Sequence, residues 1–358
     1  MSEISLSDQK MATLWGFLGS SELPWIKFDK QLGKIIIVVD NHLLSTYRSC
    51  AQHYMYQAVD GYQQKPQIGT AENDRKWYLD FGIVFHKMLQ TYYSEFRLPD
   101  FNLAEWAFTL GYKYWMEQNL DRYVTHPECH QMGGLKGFGG MLIQYATRFT
   151  AENERLRIIG TEIAFGKNKE VLLYVDEFVE VYLAGRLDVI VDDGFFIMPM
   201  DHKTTGSFKK DPLDRYLNDE GPTGYVFALQ QILPTIIPRE AILKRECTRI
   251  LMNLISKQIP TDDPSNRFKR MTLYKSGSQL ATYRARMIAT VQNLLNDLVL
   301  YIQTGEATRD TSHCTNWFFG RCFYYDVCRQ PDATGIANTL ANGFVKLPIW
   351  DTENISVS

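Results

Sequence analysis

Asp188, Asp201 and Lys203 are the residues whose types and spacing could do hydrolytic chemistry. They lie in the run GRLDVIVDDGFFIMPMDHKTT, residues 185–205. An Asp-Gly step between two apolar runs, Leu183–Val191 and Phe195–Thr204, predicts a β-hairpin turning at Asp192–Gly194. Side chains alternate faces along a strand, so Asp201 and Lys203 point one way and His202 the other. Asp188, on the partner strand, falls across from the 197–201 region. A small register offset or bulge would bring it and Asp201 to one metal ion. Two carboxylates and a backbone carbonyl are hard oxygen donors suited to Mg²⁺, which normally keeps several waters. A lysine beside them can orient or deprotonate an attacking water, or steady a pentavalent phosphate. The metal acidifies water and neutralises charge developing on the scissile phosphate. Asp-x-Lys by itself is a common triplet. Inside a strand rich in Phe, Ile and Met, however, unpaired charge is costly, so the pattern implies either a structural ion pair or a metal site.

The elements that must hold this hairpin follow from hydrophobic periodicity. Lys34–Val39 reads as a buried strand with five β-branched residues in a row. Ser45 is placed to cap a helix running through Tyr47, Cys50 and Tyr54, and the polar stretch 60–75 reads as a loop. Residues 79–96 form an amphipathic helix, with Phe81, Val84, Phe85, Met88, Leu89 and Tyr92 recurring at three- and four-residue steps. Segments 103–120 and 138–158 also read as helices. The glycines of the turn-rich HPECHQMGGLKGFGG between them do not follow a strand and miss the dinucleotide-binding spacing, so they imply no cofactor. Period two takes over at Gly160–Phe165 and Leu172–Val181, and Arg249–Ser256 is a further strand. Tyr225–Ile237 is helical up to Pro238, and 279–303 make a long helix. The sum is an α/β fold, a central mixed β-sheet flanked by helices with helical insertions. No internal repeat interrupts it.

The chain has 358 residues, 45% hydrophobic and 22% charged, with a formal net charge of −3. No global basic field is available to attract nucleic acid, so DNA binding would need a local basic groove. Arg267, Phe268, Lys269 and Arg270 are the candidate patch, since a basic run with an embedded ring can hold phosphate and stack a base; a solvated loop is the bland alternative. The N-terminus lacks a basic region followed by an apolar stretch, and the densest aliphatic run, Ile35–Val39, is too short to span a bilayer. A soluble cytoplasmic protein without membrane association is expected. Of six cysteines, Cys314, Cys322 and Cys328 fall within fifteen residues and Cys50 lies near the start. In a reducing compartment they are ligands or buried thiols rather than disulfides, and four thiolates can hold a cubane iron–sulfur cluster or a structural zinc. Cys129, between His126 and His130, reads as a surface turn, and Cys247 has no partner in view.

Three ordered motifs resemble those of the PD-(D/E)XK nuclease superfamily, especially its RecB-like exonuclease branch. Gly82-Ile-Val-Phe-His86 is similar to the early G-x₃-H motif, Gly185-Arg-Leu-Asp188 to the metal-binding aspartate motif, and Asp201-His-Lys203 to the (D/E)-x-K motif. Together they cover about residues 40–330. The resemblance implies a restriction-endonuclease-like core that hydrolyses DNA phosphodiester bonds with Mg²⁺ or Mn²⁺. Asp188 and Asp201 would ligate the metal, with His86 and the upstream Glu162 as further candidates. Lys203 would activate water or stabilise the transition state. The branch also carries a Q-x₃-Y motif that helps position DNA. Tyr225 fits it, but Gly221 stands where glutamine is expected, with Gln230 and Gln231 within two turns. One early and three late cysteines resemble the AddB type, which implies a [4Fe–4S] cluster at Cys50, Cys314, Cys322 and Cys328, with zinc as the alternative; the Cys314-x₇-Cys322 spacing is longer than usual there. The implied setting is recombination, repair or phage DNA metabolism with a helicase or recombination partner. A catalytically degenerate DNA-binding member and an endonuclease are the competing readings. The expected organisation is an N-terminal appendage (1–30), a nuclease domain (31–330) with a helical insertion at about 100–158 and a cysteine clasp at 305–330, and a C-terminal tail (331–358).

Overall fold

A computed structural model describes residues 3–347, apart from 22, 66–70, 96, 98–101, 104, 107–108, 111–112, 116, 118–136, 206–207, 209–215, 218, 239–241, 243–244, 258–263, 311–313 and 317–319. The reading of Cys129 as a surface turn, and much of the 103–120 helix, lie outside these residues. The chain divides into two compact units, one from Met1–Pro66, Phe165–Gly185 and Ala281–Ile355, the other from Gln67–Ala164, Arg186–Leu280 and Ser356–Ser358. Its elements run α1 (Asp8–Leu18), β1 (Ile26–Asp29), β2 (Lys34–Val39), α2 (Asn41–Ser49), α3 (Ala51–Ala58), β3 (Tyr62–Gln64), then α4 (Ala71–Glu95), α5 (Phe138–Arg155) and β4 (Arg157–Phe165). There follow β5 (Leu172–Val175), β6 (Val179–Leu183), β7 (Gly185–Asp192), β8 (Ile197–Thr205), α6 (Glu220–Ile236), β9 (Arg249–Ser256), β10 (Phe268–Tyr274) and α7 (Gly277–Thr304). The last are β11 (Thr315–Asn316), β12 (Gly320–Arg321), α8 (Tyr325–Cys328), α9 (Ala333–Gly343) and β13 (Phe344–Lys346).

The second unit is built on a five-stranded sheet in the order β10-β9-β8-β7-β4. β7–β8 and β9–β10 pair antiparallel while β8–β9 pair parallel, so the sheet is mixed. Both faces are covered, which is why β7 and β9 read as near-continuous apolar runs. On β9, Leu251 and Ile255 join Phe81, Phe85, Met88, Tyr145 and Phe149 of α4 and α5 in one core. Ile250, Met252 and Leu254, on the opposite face, join Val226 of α6 in another. All six apolar positions expected on α4 are buried, none more than 5% exposed. Each such side chain contributes about 1.5–3 kcal/mol of hydrophobic stabilisation. The result is a mixed α/β core with helices on both sides of the sheet, as the periodicity implied.

In the first unit a four-stranded sheet runs β1-β2-β6-β5. Residues 1–30 are not an appendage: Met11, Leu14 and Leu18 of α1, with Trp25 and Ile26, are buried, and β1 pairs with β2. Within 333–346, α9 carries β13 onto β3 by antiparallel pairing, and β3 lies in the stretch expected to be loop. Leu172–Val181 is two strands, split where Asp176 Oδ1 accepts from the Phe178 and Val179 amides. The helix expected through Cys50 breaks there, at φ −169°, and its cap is Asp40, whose Oδ1 accepts from Leu43 N at 2.5 Å. Among the described residues no helix is long and apolar enough to cross a membrane.

Candidate active site

The β7–β8 hairpin forms with a longer turn than expected. Asp192 pairs with Ile197, leaving 193–196 as the loop and starting β8 two residues late. Side chains set this turn. Asp193 Oδ1 accepts from the Phe195 and Phe196 amides, Asp192 Oδ1 accepts from Gly194 N at 2.8 Å, and Gly194 takes the left-handed φ of +96° that glycine tolerates best. Arg157 and Arg245 both donate to the Asp192 carboxylate, at 2.8 and 3.1 Å, and fix its ionised form.

Counting back from that turn, Val189 pairs with Met200. The strand pairing ends at Val189 and Met200, and the two carboxylates come next along each strand, Asp188 on β7 and Asp201 on β8. Asp188 Oδ2 accepts the His202 amide at 2.7 Å, and Asp201 Oδ1 accepts Lys203 Nζ at 3.0 Å. Asp201 Oδ2 is buried and, among the described residues, has no hydrogen-bond partner. Burial pushes both carboxyls up to about 6, against partial relief from the Lys203 ammonium. Burial would lower Lys203 as well, but Asp201, Tyr225 and Asp188 outweigh it and the ammonium is held above its usual range. A buried Asp201 and a half-buried Asp188 beside one lysine, with an orphaned oxygen, are a donor set short of positive charge. A hard divalent cation fits that shortage.

His86, on α4, brings Nδ1 to 3.7 Å from Asp188 Oδ2. Burial and the Lys203 charge lower its pKa to about 4, so at neutral pH it is an uncharged ring able to face a metal rather than an ion-pair partner. Gly82 lies one turn earlier, and a Cβ there would meet Thr204 Oγ1 of β8 at 3.0 Å, so glycine lets this helix approach the strand. Glu162 sits on β4 with a left-handed φ of +51°, rare for a residue with a side chain, and accepts Arg186 Nη1 at 3.2 Å. Arg186 is a site residue that the sequence reading passed over, although it stands two positions before Asp188.

The DNA-contact candidates separate. Tyr225, on α6, lies beside the site, with Lys203 Nζ 5.9 Å from its ring centre. Gln230 instead donates to the Cys247 carbonyl at 2.7 Å. Gly221 is at the start of α6, where its amide donates to the capping Asp219 carboxylate at 2.9 Å. The basic run is not an exposed patch. Residues 268–274 are strand β10, whose alternation turns Lys269 out over the Phe208 ring and Phe268 inward. Arg267 is buried, donating to the Ser256 and Lys257 carbonyls. The Arg270 side chain is 5% exposed and donates to Glu152, Tyr93, Tyr145 and Asn153, so it does not face solvent phosphate.

Cys50, Cys314, Cys322 and Cys328 all belong to the first unit. Burial raises the Cys314, Cys322 and Cys328 thiols, and the charge of Cys50 acts on each of the three. Cys322 N donates to the Cys314 carbonyl at 2.9 Å, and Cys322 Sγ is 3.9 Å from His53 Nδ1. Among the described residues, neither here nor at Asp188, Asp201 and His86 are three His, Cys, Asp or Glu side chains gathered tightly enough to hold a metal ion by themselves.

A helix-covered mixed sheet presenting an acidic pair and a lysine from its central hairpin is an arrangement suited to metal-dependent hydrolysis. The family model of the PD-(D/E)XK nuclease superfamily matches residues 43–329, which span both units and every motif quoted above. The chain belongs to that superfamily, whose nucleases typically use divalent metal ions such as Mg²⁺. No curated protein matches it.

Proposed function

We propose that the protein is a Mg²⁺-dependent exonuclease of the RecB-like branch, hydrolysing DNA phosphodiester bonds in recombination, repair or phage DNA metabolism, alongside a helicase or recombination partner. The observation that carries this reading is the orphaned Asp201 Oδ2 beside Asp188 and Lys203. Asp188 and Asp201 would hold the metal, with His86 completing the set and Glu162 placed farther out, on Arg186. The metal supplies an acidified water and charge neutralisation at phosphate. Lys203 keeps its ammonium at the carboxylates, where it orients the attacking water or meets charge building on the phosphate oxygens. Tyr225 flanks Lys203 as a face for the substrate, and Lys269 is the exposed cation of the former basic run. The test is digestion of end-labelled linear DNA and closed circular DNA with Mg²⁺. Loss of linear DNA alone supports an exonuclease, and cutting of the circle makes the protein an endonuclease.

A second reading, a DNA-binding member that does not cut, is favoured by one observation. Gly221 replaces the expected glutamine, and Gln230, which could stand in for it, is held by the Cys247 carbonyl. Binding to labelled DNA without cleavage in Mg²⁺ or Mn²⁺ would establish it.

For the cysteines we propose a structural [4Fe–4S] cluster on Cys50, Cys314, Cys322 and Cys328, with zinc as the alternative. The support is that Cys50 is one cause of the raised Cys314, Cys322 and Cys328 thiols, which lie more than 250 residues away in sequence, and that Cys322 N donates to the Cys314 carbonyl. Four metal–thiolate bonds would draw neighbouring thiols into a ligand set and turn binding energy into folding energy. Protein purified without oxygen should be brown, and Cys→Ser at any of the four should remove the colour. Colourless protein with one zinc per chain would replace the cluster.

A further inference from the structure

His202 is the residue between the two halves of the Asp201–Lys203 motif, on the opposite face of β8. It is 1% exposed. Its ring is stacked flat on Tyr93, with centroids 5.5 Å apart and planes 15° apart, and stands at 82° to the His86 ring, 5.8 Å away. Its backbone amide donates to Asp188 Oδ2. Residue 202 therefore touches both members of the His86–Asp188 pair, its main chain bonding to each and its ring standing against His86.

The hydrogen bonds around the ring fix where its proton sits. The parallel register pairs His202 with Asn253. The Asn253 amide is oriented by Arg270, whose Nε lies 3.5 Å from Asn253 Oδ1. A guanidinium has only donors, so the atom facing it is the amide oxygen. The other end, Asn253 Nδ2, then faces His202 Nδ1 at 2.8 Å and also donates to the Tyr145 hydroxyl. An amide nitrogen has only donors, so Nδ1 must accept. A neutral ring accepting at Nδ1 carries its proton on Nε2. Nε2 is buried and, among the described residues, has no hydrogen-bond partner. An unpaired buried donor is costly, and the His86 ring stands at 82° to the His202 ring with centroids 5.8 Å apart.

We propose that His202 is a positioning residue, its Nε2–H orienting the His86 ring toward Asp188 while the Arg270–Asn253 pair fixes its tautomer. This rests on the reading of His86 as part of the metal site. It gives the middle residue of the motif a role that its face of the strand, turned away from the carboxylates, conceals. It also explains why a cation as well satisfied as Arg270 is buried on that side of the sheet, since Arg270 sets the amide that sets the ring.

The test is long-range ¹H–¹⁵N correlation on the full chain with labelled histidine, joined to kinetics. Wild-type protein should show His202 as the Nε2–H tautomer; an Nδ1–H tautomer overturns the proposal. His202→Phe keeps an aromatic ring on Tyr93 but loses the donor, and should shift the His86 ring signals toward averaged tautomers. His202→Gln, which returns an N–H near the Nε2 position, should leave them close to wild type. Unchanged His86 signals in His202→Phe overturn the proposal. On DNA with saturating Mg²⁺, His202→Phe should lower kcat about tenfold, the usual scale for a residue supporting a ligand, with KM unchanged. It should add nothing to His86→Ala; fully additive losses overturn the coupling. If His202→Phe does not fold, Asn253→Asp serves instead. It places an acceptor at Nδ1, and should move the proton there and disturb His86. If wild-type protein cuts no DNA, the functional reading falls, and the ring signals still decide whether His202 orients His86.

Discussion

Asp201→Asn keeps the shape of the side chain, removes one charge, and separates a metal site from a structural ion pair. Asp201 is 2% exposed, and burial lifts its carboxyl from 3.8 to about 6. An acid whose folded pKa lies above its unfolded one binds its proton more tightly in the folded state. Ionising it between those values therefore costs stability, nothing well below 3.8 and the full amount above about 6. Two pKa units at 1.36 kcal/mol each give a cost of about 3 kcal/mol at pH 8, falling to about half of that at pH 5. The neutral Asn lacks this cost. In metal-free protein this relief is opposed by loss of the carboxylate that holds the Lys203 ammonium above its usual range, so Asp201→Asn should gain less than that amount at pH 8, and the relief should shrink on acidification. The same variant should lose DNA cleavage by about 10³-fold or more, because a charged ligand is gone. Urea unfolding of the full chain at the two pH values and degradation of linear DNA with Mg²⁺ read the two effects. If Asp201–Lys203 were a structural pair, Asn would strand the lysine and destabilise the protein while sparing activity. That outcome would refute the assignment.

With both carboxyls near 6, Mg²⁺ competes with protons for the pair. Cleavage at subsaturating Mg²⁺ should rise with pH through about 6 and flatten as Mg²⁺ saturates, whereas a flat profile at every concentration would remove the pair from metal binding. Arg270→Met should destabilise the fold by roughly 3–5 kcal/mol, the scale for losing one partner of a buried charge network, and leave the salt dependence of DNA binding unchanged, as filter binding would show. Lys269→Glu should do the reverse, weakening DNA binding with little effect on unfolding.

What could be read in advance was what local pattern controls. Lys34–Val39, Arg249–Ser256 and the α4 stripe follow from β-branched runs and three–four periodicity. The Asp-Gly step gave the hairpin, but not that Asp193 would cap a four-residue loop, which moved the start of β8 from Phe195 to Ile197. Strand β10 was missed because FKRMTLY follows Arg267 with two adjacent cations, Lys269 and Arg270, and looks like a solvated basic run. Only pairing with β9 turns Arg270 into the tyrosine-lined interior. Asn253, Tyr145 and Tyr93 carried no signal at all. Their importance comes from the parallel register that sets Asn253 beside His202 and from α4 and α5 lying over that face.

A central strand has two faces, and β8 uses both at consecutive residues. Asp201 and Lys203 face α6, which brings Tyr225 to the lysine, while His202 faces α4, which brings His86. Neither helix alone could assemble the site, because Asp188 and Asp201 come from the sheet and His86 from one covering layer. Charge explains why the strand must be central. At a solvated edge, water would satisfy Asp201 Oδ2 and keep both carboxyls ordinary; here both are raised to about 6 and, among the described residues, that oxygen has no partner. On the proposed reading, burial makes the pair unfavourable by itself, by an amount that a divalent cation would relieve on binding. Its cost to the metal-free fold and its affinity for metal then have one origin, so variants that stabilise the first should weaken the second in proportion.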